Sequence, residues 1–543
     1  MRIRGVASTS AASAEVGTNG PVTSIWAPLA IGAYRALWIA GLVSNIGTWM
    51  QTVGAQWLLI GRPNSAALVA LVQTASTLPV LLLALPAGVL ADVFERRRLL
   101  IAFQAFQFAV GVGLTVLTIV GQMPPALLLS FTFLLGCGQA LWVPAFQSYI
   151  PELVPRGLLP SAAALGGVSI NLARAIGPAV AGVLVARTGV GFVFAVNAAT
   201  FLAFTVVLVF ARSPAALRPA DPERFLPALR AGSRYVRHSL VVRRMLLRSA
   251  LFVFPGTAMW ALLPLIASDR LGMDAGGYGL LLGSVGVGAV GGAVVMPRLR
   301  ARLSSTQLLA LGSVVYGVSL VVLATVDNSW LVGLALLPTG TAWIAVLSSL
   351  NASLQVFLPH WVRGRGLSIY QVVLFGGQAV GAVVWGQVAQ HAGLQTSFLA
   401  AAAVMIGGAL TLFRWPMRDV GDVNRSSARY WEDPQLVFEP EPDAGPVLIV
   451  VTYSVTVGNE AQFLEAMSFV RRSRLRTGAT RWDLYRDGES DDRYIETYLV
   501  GSWGEHMRQH EGRLTGADRA REEAARDLCD GPPEVRHLFP ATD

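Results

Sequence analysis

Arg174 is the residue whose chemistry asks most of its surroundings. It stands inside the apolar stretch Asn171-Leu172-Ala173-Arg174-Ala175-Ile176-Gly177-Pro178-Ala179-Val180-Ala181-Gly182. A charge at the centre of a membrane helix costs at least about 2.5–3.5 kcal/mol, so it must face a cavity or a partner, or else lie near enough to an end to snorkel to the interface. Both placements are open from the sequence. Gly177-Pro178 removes a backbone donor and is expected to kink the helix, and Gly182 lets a neighbour approach closely. Amides are the other polar groups in apolar runs. Asn45, Gln51, Gln139, Asn171, Asn351 and Gln378 are expected to line a polar cavity or to bridge helices. Trp49, Trp57 and Trp260 could contact a bulky cargo, but they read more simply as interfacial anchors.

Other chemistry has little support. No catalytic constellation is visible, and no cofactor is expected. Carboxylates such as Asp92, Glu152, Asp269 and Asp274 sit at the ends of apolar runs rather than inside them. Cys137 and Cys529 have no CxxC partner, which leaves disulfide and zinc readings without a basis. His506 and His510 stand four apart and could share one helical face, but no third ligand is apparent. They read as a solvated polar face, and no metal is expected.

The elements that must position these residues follow from composition. The chain has 543 residues, 53% of them hydrophobic and only 14% charged, against about 25% charged in soluble domains. Lipid is therefore its main solvent. The basic residues are all arginine, clustered in short loops, which is a topology signal rather than a nucleic-acid surface. About 20 apolar residues cross a bilayer, and runs of that length divide 37–413 into twelve spans. Alternate loops hold Arg96–Arg98, Arg156, 212–248, Arg298–Arg302 and Arg363/Arg365. The positive-inside tendency makes those loops cytoplasmic and puts both termini inside.

The halves also resemble each other. Gly47-Thr48-x-Met50 recurs as Gly256-Thr257-x-Met259, and Gly177, Gly182 and Phe194 recur as Gly381, Gly386 and Phe398. Parallel six-helix repeats are one way alternating-access transporters are built. The expected organisation is a disordered tail at 1–33, a six-helix half at 34–212 and a cytoplasmic loop at 213–244. A second half at 245–415, a linker at 416–446 and a soluble unit at 447–543 complete it. That last unit reads β-α-β-β-α-β, with a charged helix over 505–528, and suits a ferredoxin-like α+β domain.

The loop Gly88-Val89-Leu90-Ala91-Asp92-Val93-Phe94-Glu95-Arg96-Arg97-Arg98 resembles the G-x-L-A-D-R-x-G-R-R signature of the major facilitator superfamily, with Val93 and Glu95 departing from it. The resemblance implies that Gly88, Asp92, Arg96 and Arg97 form a conformational latch between the halves. The segment around Arg174, Gly177, Pro178 and Gly182 resembles the G-P-x-x-G-G motif of exporters in that superfamily. Residues 144–156 are similar to a segment of its enterobactin-exporter and macrolide-efflux branch, where Glu152 is a candidate partner for Arg96 or Arg156. Residues 503–515 resemble a tail domain similar to the antibiotic-biosynthesis-monooxygenase family, which implies a homodimer through that domain.

Together these imply a secondary active exporter, not an enzyme, in a bacterial cytoplasmic membrane. It would move a hydrophobic drug or siderophore-like small molecule, coupled to protons. The rival expectations are an importer of the same fold and a membrane-anchored enzyme or sensor acting through the C-terminal domain.

Overall fold

The computed structural model describes residues 24–210, 225–417, 431, 434 and 436–541. The first half is α1 (Gly32–Leu58), α2 (Ser65–Val93), α3 (Arg96–Ile119), α4 (Pro125–Leu153), α5 (Leu159–Thr188) and α6 (Val190–Phe210). A short helix, α7 (Phe225–His238), precedes the second half. That half is α8 (Leu240–Leu265), α9 (Ala275–Arg302), α10 (Ser305–Thr325), α11 (Ser329–Phe357), α12 (His360–Ala392) and α13 (Leu394–Arg414).

The duplication suggested by the glycine register is a packing fact. In the first half α1 packs on α5, α2 on α4, and α3 on α6; in the second, α8 packs on α12, α9 on α11, and α10 on α13. Between halves, α5 meets α9 and α2 meets α12, which are equivalent pairs exchanged by the repeat. Small residues make these approaches close, as where Gly340 meets the Val285 carbonyl and Gly288 the Leu337 carbonyl. With no hydrophobic drive between helices in lipid, such backbone proximity supplies the dispersion that holds the bundle.

Eleven helices among the described residues are long and apolar enough to cross a membrane, one fewer than the twelve expected. The missing one is α1. Its 27 residues give about 40 Å of helix, but Ser44, Asn45, Thr48, Gln51, Thr52 and Gln56 dilute its hydropathy. A second difference concerns the expected loop at 213–244, where α7 forms and α8 begins at Leu240. Ser239 caps α8 by accepting from the Val242 amide, which moves its start ahead of the apolar run.

The C-terminal unit is a four-stranded antiparallel sheet in the order β2-β3-β1-β4. The strands are β1 (Val447–Ser454), β2 (Ala479–Arg486), β3 (Arg493–Val500) and β4 (Glu534–Leu538). Alternation along β1 buries Val447, Ile449, Val451 and Tyr453 against Phe463, Met467 and Val470 of α14 (Glu460–Thr477). The single charged helix expected over 505–528 is broken. α15 (Trp503–Arg508) runs into a wide turn, Gln509–Arg513, with Gly512 at φ +137°, and α16 (Gly516–Arg526) starts afresh. Gly512 supplies the left-handed backbone that stops the first helix. A reciprocal Thr515–Asp518 capping box nucleates the second.

Candidate functional site

α5 runs unbroken from Leu159 to Thr188 through Pro178, which puts Arg174 fifteen residues from its start, about 22 Å along the axis. That is the middle of the helix, too deep for the interfacial snorkel allowed by the sequence. Gly177, one turn on, sets its surroundings. A Cβ there would lie 2.6 Å from Trp49 Cβ and 3.1 Å from the Ile46 carbonyl, so its absence lets α1 close onto α5. Trp49 is thereby delivered beside the guanidinium, with Arg174 Cζ 5.6 Å from its ring centroid. From the other half, Trp260 on α8 presents its ring at 5.8 Å. The two indoles are themselves 5.8 Å apart. Neither Nε nor Nη1 of Arg174 has a hydrogen-bond partner among the described residues. A cation over aromatic faces gains up to about 2 kcal/mol per ring when desolvated, and the N–H groups at Nε and Nη1 are left without an acceptor among the described residues.

The expectation that Trp49, Trp57 and Trp260 anchor at the interface is therefore overturned. Trp260 is buried and packs on Trp343 at 5.5 Å, and Trp57 stacks on Tyr278 at 6.2 Å across the seam. The repeat carried a signal for this. Trp49 lies inside the duplicated Gly-Thr-x-Met element, and Trp260 follows its second copy.

One end of the seam is sealed. Gln56 donates to the Trp260 carbonyl at 3.2 Å and accepts from the Tyr278 hydroxyl at 2.6 Å. Gly182 faces the Ala275 carbonyl and Gly279 the Pro178 carbonyl, each with 2.5 Å to where a Cβ would stand. On the other flank Thr74 donates to the Ala379 carbonyl at 3.1 Å, and Gln73 to Gln378 at 3.4 Å. All these contacts lie in the halves of their helices away from the arginine clusters.

The remaining expected residues divide. Gln378 reaches the seam. Gln51 is buried and accepts from Asn197, tying α1 to α6. Asn45 donates to Ser169 at 3.4 Å, tying α1 to α5, and Asn171 donates to the Gly167 carbonyl of its own helix at 3.0 Å. Asn351 accepts from Gln355 one turn on, and Gln139 is half-buried on α4. Gln56 and Gln73 stand in the same apolar runs as these amides, and nothing in their sequence neighbourhood marks them as the ones that bridge the halves.

Of the latch residues, the side chains of Gly88 and Asp92 lie outside the described residues. Arg96 pairs with Glu152 at 2.5 Å, and Arg97 donates to the Leu208 carbonyl at 2.8 Å. In this conformation these two arginines tie α3 to α4 and α6 within the first half.

In the soluble unit the solvated reading of His506 and His510 fails. Both are buried, and β4 brings His537 to them as a third imidazole. Sequence spacing could not find it, since sheet pairing makes that contact.

Comparison with known proteins fits this architecture. The model of the family described as transmembrane secretion effector matches residues 23–542. The enterobactin exporter EntS of Shigella boydii is 28% identical over 361 residues, covering 65% of this chain and 84% of that protein. A staphyloferrin A transporter of Staphylococcus aureus is 24% identical over 276 residues, covering 51% of this chain and 69% of that protein. Among solved structures, a D-xylose-proton symporter superposes with a TM-score of 0.58 at 15% identity, covering 74% of this chain and 99% of that one. The nucleoside transporter NupG does so with a TM-score of 0.59 at 11% identity, covering 70% and 99%.

Proposed function

The chain belongs to the transmembrane secretion effector family, and from that premise we propose that it exports an anionic, siderophore-like small molecule by alternating access. It is a multi-pass secondary transporter, and its family and relatives are transporters rather than enzymes. The observation that carries the substrate class is Arg174, a guanidinium at mid-helix, flanked by one indole from each half, with Nε and Nη1 unbonded. A guanidinium fork suits carboxylates or other paired oxygens, and indole walls suit flat or aromatic bodies. Contact with both halves suits a site that both must release when they rock apart.

The arginine clusters support cytoplasmic termini by the positive-inside tendency. On that orientation the sealed end of the seam is the outer one, and cargo enters from inside. α1 counts as the twelfth span, its polar side chains facing α5, α6 and the seam instead of lipid. Coupling to the proton gradient belongs to this proposal, as does the latch role of Gly88, Asp92, Arg96 and Arg97 in the opposite conformation. The order β2-β3-β1-β4 is that of a ferredoxin-like unit. Its face away from α14, bearing Leu448, Val450, Leu499 and Leu538, would pair with a second copy.

The test is efflux of a catecholate or hydroxycarboxylate siderophore from cells carrying the wild type, Arg174→Ala or an empty vector, with and without an uncoupler. Export by the wild type alone, abolished by the uncoupler, supports the proposal. Export unchanged by Arg174→Ala would overturn the site, and wild-type export indifferent to the uncoupler would overturn the coupling.

A further inference from the structure

We propose that His506, His510 and His537 bind one divalent transition-metal cation, and that this cation fastens one of the segments by which the soluble domain docks on the transporter. The imidazoles come from separate elements. His506 is on α15, His510 is in the wide turn after it, and His537 is on the edge strand β4. Their nitrogens converge. His506 Nε2 lies 3.0 Å from His537 Nε2 and 3.2 Å from His510 Nε2, with all three ligand atoms within 4.8 Å of one another. Imidazoles bound at about 2.0–2.1 Å to a tetrahedral ion stand roughly 3.3–3.4 Å apart, so small ring movements would complete the site.

Hydrogen bonding alone does not serve this arrangement. The Thr477 hydroxyl donates to the Ser473 carbonyl at 2.9 Å and so accepts from Gln509 Nε2 at 3.2 Å. The amide is thus oriented with its oxygen 3.3 Å from His506 Nδ1. That nitrogen therefore carries the proton, and Nε2 holds a single in-plane lone pair. Two imidazole nitrogens stand within reach of that pair, and only one can donate to it. A cation takes the lone pairs of all three. The Gln509 contact is also the support a ligating histidine usually has on its other nitrogen, which fixes tautomer and ring orientation.

The surroundings accept positive charge. Arg474, the nearby cation, is held by Glu496 at 3.0 Å and Glu522 at 2.6 Å, all three buried, so the group is net anionic. Trp431 joins that group to the histidines. Its Nε1 donates to Glu522 at 2.8 Å, and its ring stacks over His506 at 6.3 Å. His537 is half-buried on the sheet edge and opens the site to solvent. Three neutral nitrogen donors suit Zn²⁺, Cu²⁺, Ni²⁺ or Fe²⁺ and not Mg²⁺ or Ca²⁺.

The same segment makes docking contacts, beside those of α14, whose Arg476 lies over the Tyr235 ring of α7. Glu505, next to His506, receives Arg234 of α7 at 2.8 Å and Arg513 at 2.7 Å. Arg513 also lies over Trp361 of α12 at 4.7 Å. A cation that ties the segment to β4 would stiffen the element gripping both α7 and the second half.

The experiment uses the full-length chain, purified in detergent with a tag free of histidine, stripped with chelator and titrated with Co²⁺. One equivalent should bind with the visible bands of a nitrogen-ligated tetrahedral ion, and Zn²⁺ should displace it. X-ray absorption on the Zn²⁺ form should find three imidazole nitrogens at about 2.0–2.1 Å, a readout independent of any variant. His510→Gln and His537→Gln should each weaken binding by more than the roughly 10–100-fold that losing a supporting group costs, with the elution profile unchanged. Wild-type protein that binds neither ion stoichiometrically would overturn the site, as would X-ray absorption dominated by oxygen or sulfur. Metal that leaves protease cleavage between 417 and 447 unaltered would overturn the fastening role.

Discussion

Replacing Arg174 by methionine separates a structural charge from one kept for cargo. The side chains are similar in length, so the change removes the charge and little packing. Two terms then compete in stability. Loss of two desolvated cation–π contacts, near the long end of their range at 5.6 and 5.8 Å, costs roughly 2–4 kcal/mol. Removal of the mid-membrane charge returns roughly 2.5–3.5 kcal/mol. The two nearly cancel, so Arg174→Met should leave stability within about 1.5 kcal/mol of wild type, a melting shift of no more than roughly 3–6 °C. Binding is different, because nothing else offsets the loss of a charge-assisted hydrogen bond worth about 1.5–3 kcal/mol. At about 1.4 kcal/mol per tenfold, affinity for an anionic cargo should fall roughly 10- to 150-fold. Trp49 and Trp260 flank the site, so quenching of tryptophan fluorescence in detergent reports binding, and everted vesicles report transport. A variant that melts many degrees lower yet binds and transports normally would refute the reasoning, because Arg174 would then be a structural bridge between two indoles.

Gly182→Leu should wedge the sealed end of the seam apart, since even a Cβ there stands 2.5 Å from the Ala275 carbonyl. An Ala179→Cys reporter, with Cys137 and Cys529 replaced by serine, should then label faster with an impermeant thiol reagent, and transport should fall. Unchanged labelling with full transport would count against that seal. Arg474→Met should cost the soluble domain about 3–5 kcal/mol, because Glu496 and Glu522 stay buried without their cation; protease sensitivity confined to residues beyond 446 is the check. Asp518 is paired with Arg476, which holds its carboxyl below the ordinary 3.8. A depressed carboxyl adds stability that is complete above that value and is lost as pH falls through the lower folded one. The domain should therefore loosen below about pH 4, and Asp518→Asn should remove that step from its tryptophan-fluorescence titration.

Most of the membrane architecture was legible because lipid imposes it on the chain directly. A span needs an uninterrupted apolar run, and repeated glycines mark where helix backbones must touch, so nine of the eleven spans start within three residues of their runs. α8 and α12 begin earlier, since the cap at Ser239 lies ahead of the apolar run of α8 and α12 starts at His360, with Arg363 and Arg365 ahead of its apolar stretch. α1 falls short of the hydropathy expected of a span for a reason visible only in three dimensions: its polar residues face α5, α6 and the seam. The sequence marked Arg174 and Gly177 as unusual, but could not place the arginine in the membrane interior or pair it with Trp49 and Trp260. That pairing depends on how closely α1 approaches α5, and on which face of α8 the second half turns inward. The histidines make the same point in water. His506 and His510 share a helix face by spacing, which any sequence reveals, whereas His537 reaches them because β4 pairs with β1 at Ile449. Periodicity is a property of neighbours along the chain and is written in order. Convergence of side chains from distant segments is set by packing and register, and only the folded molecule decides it.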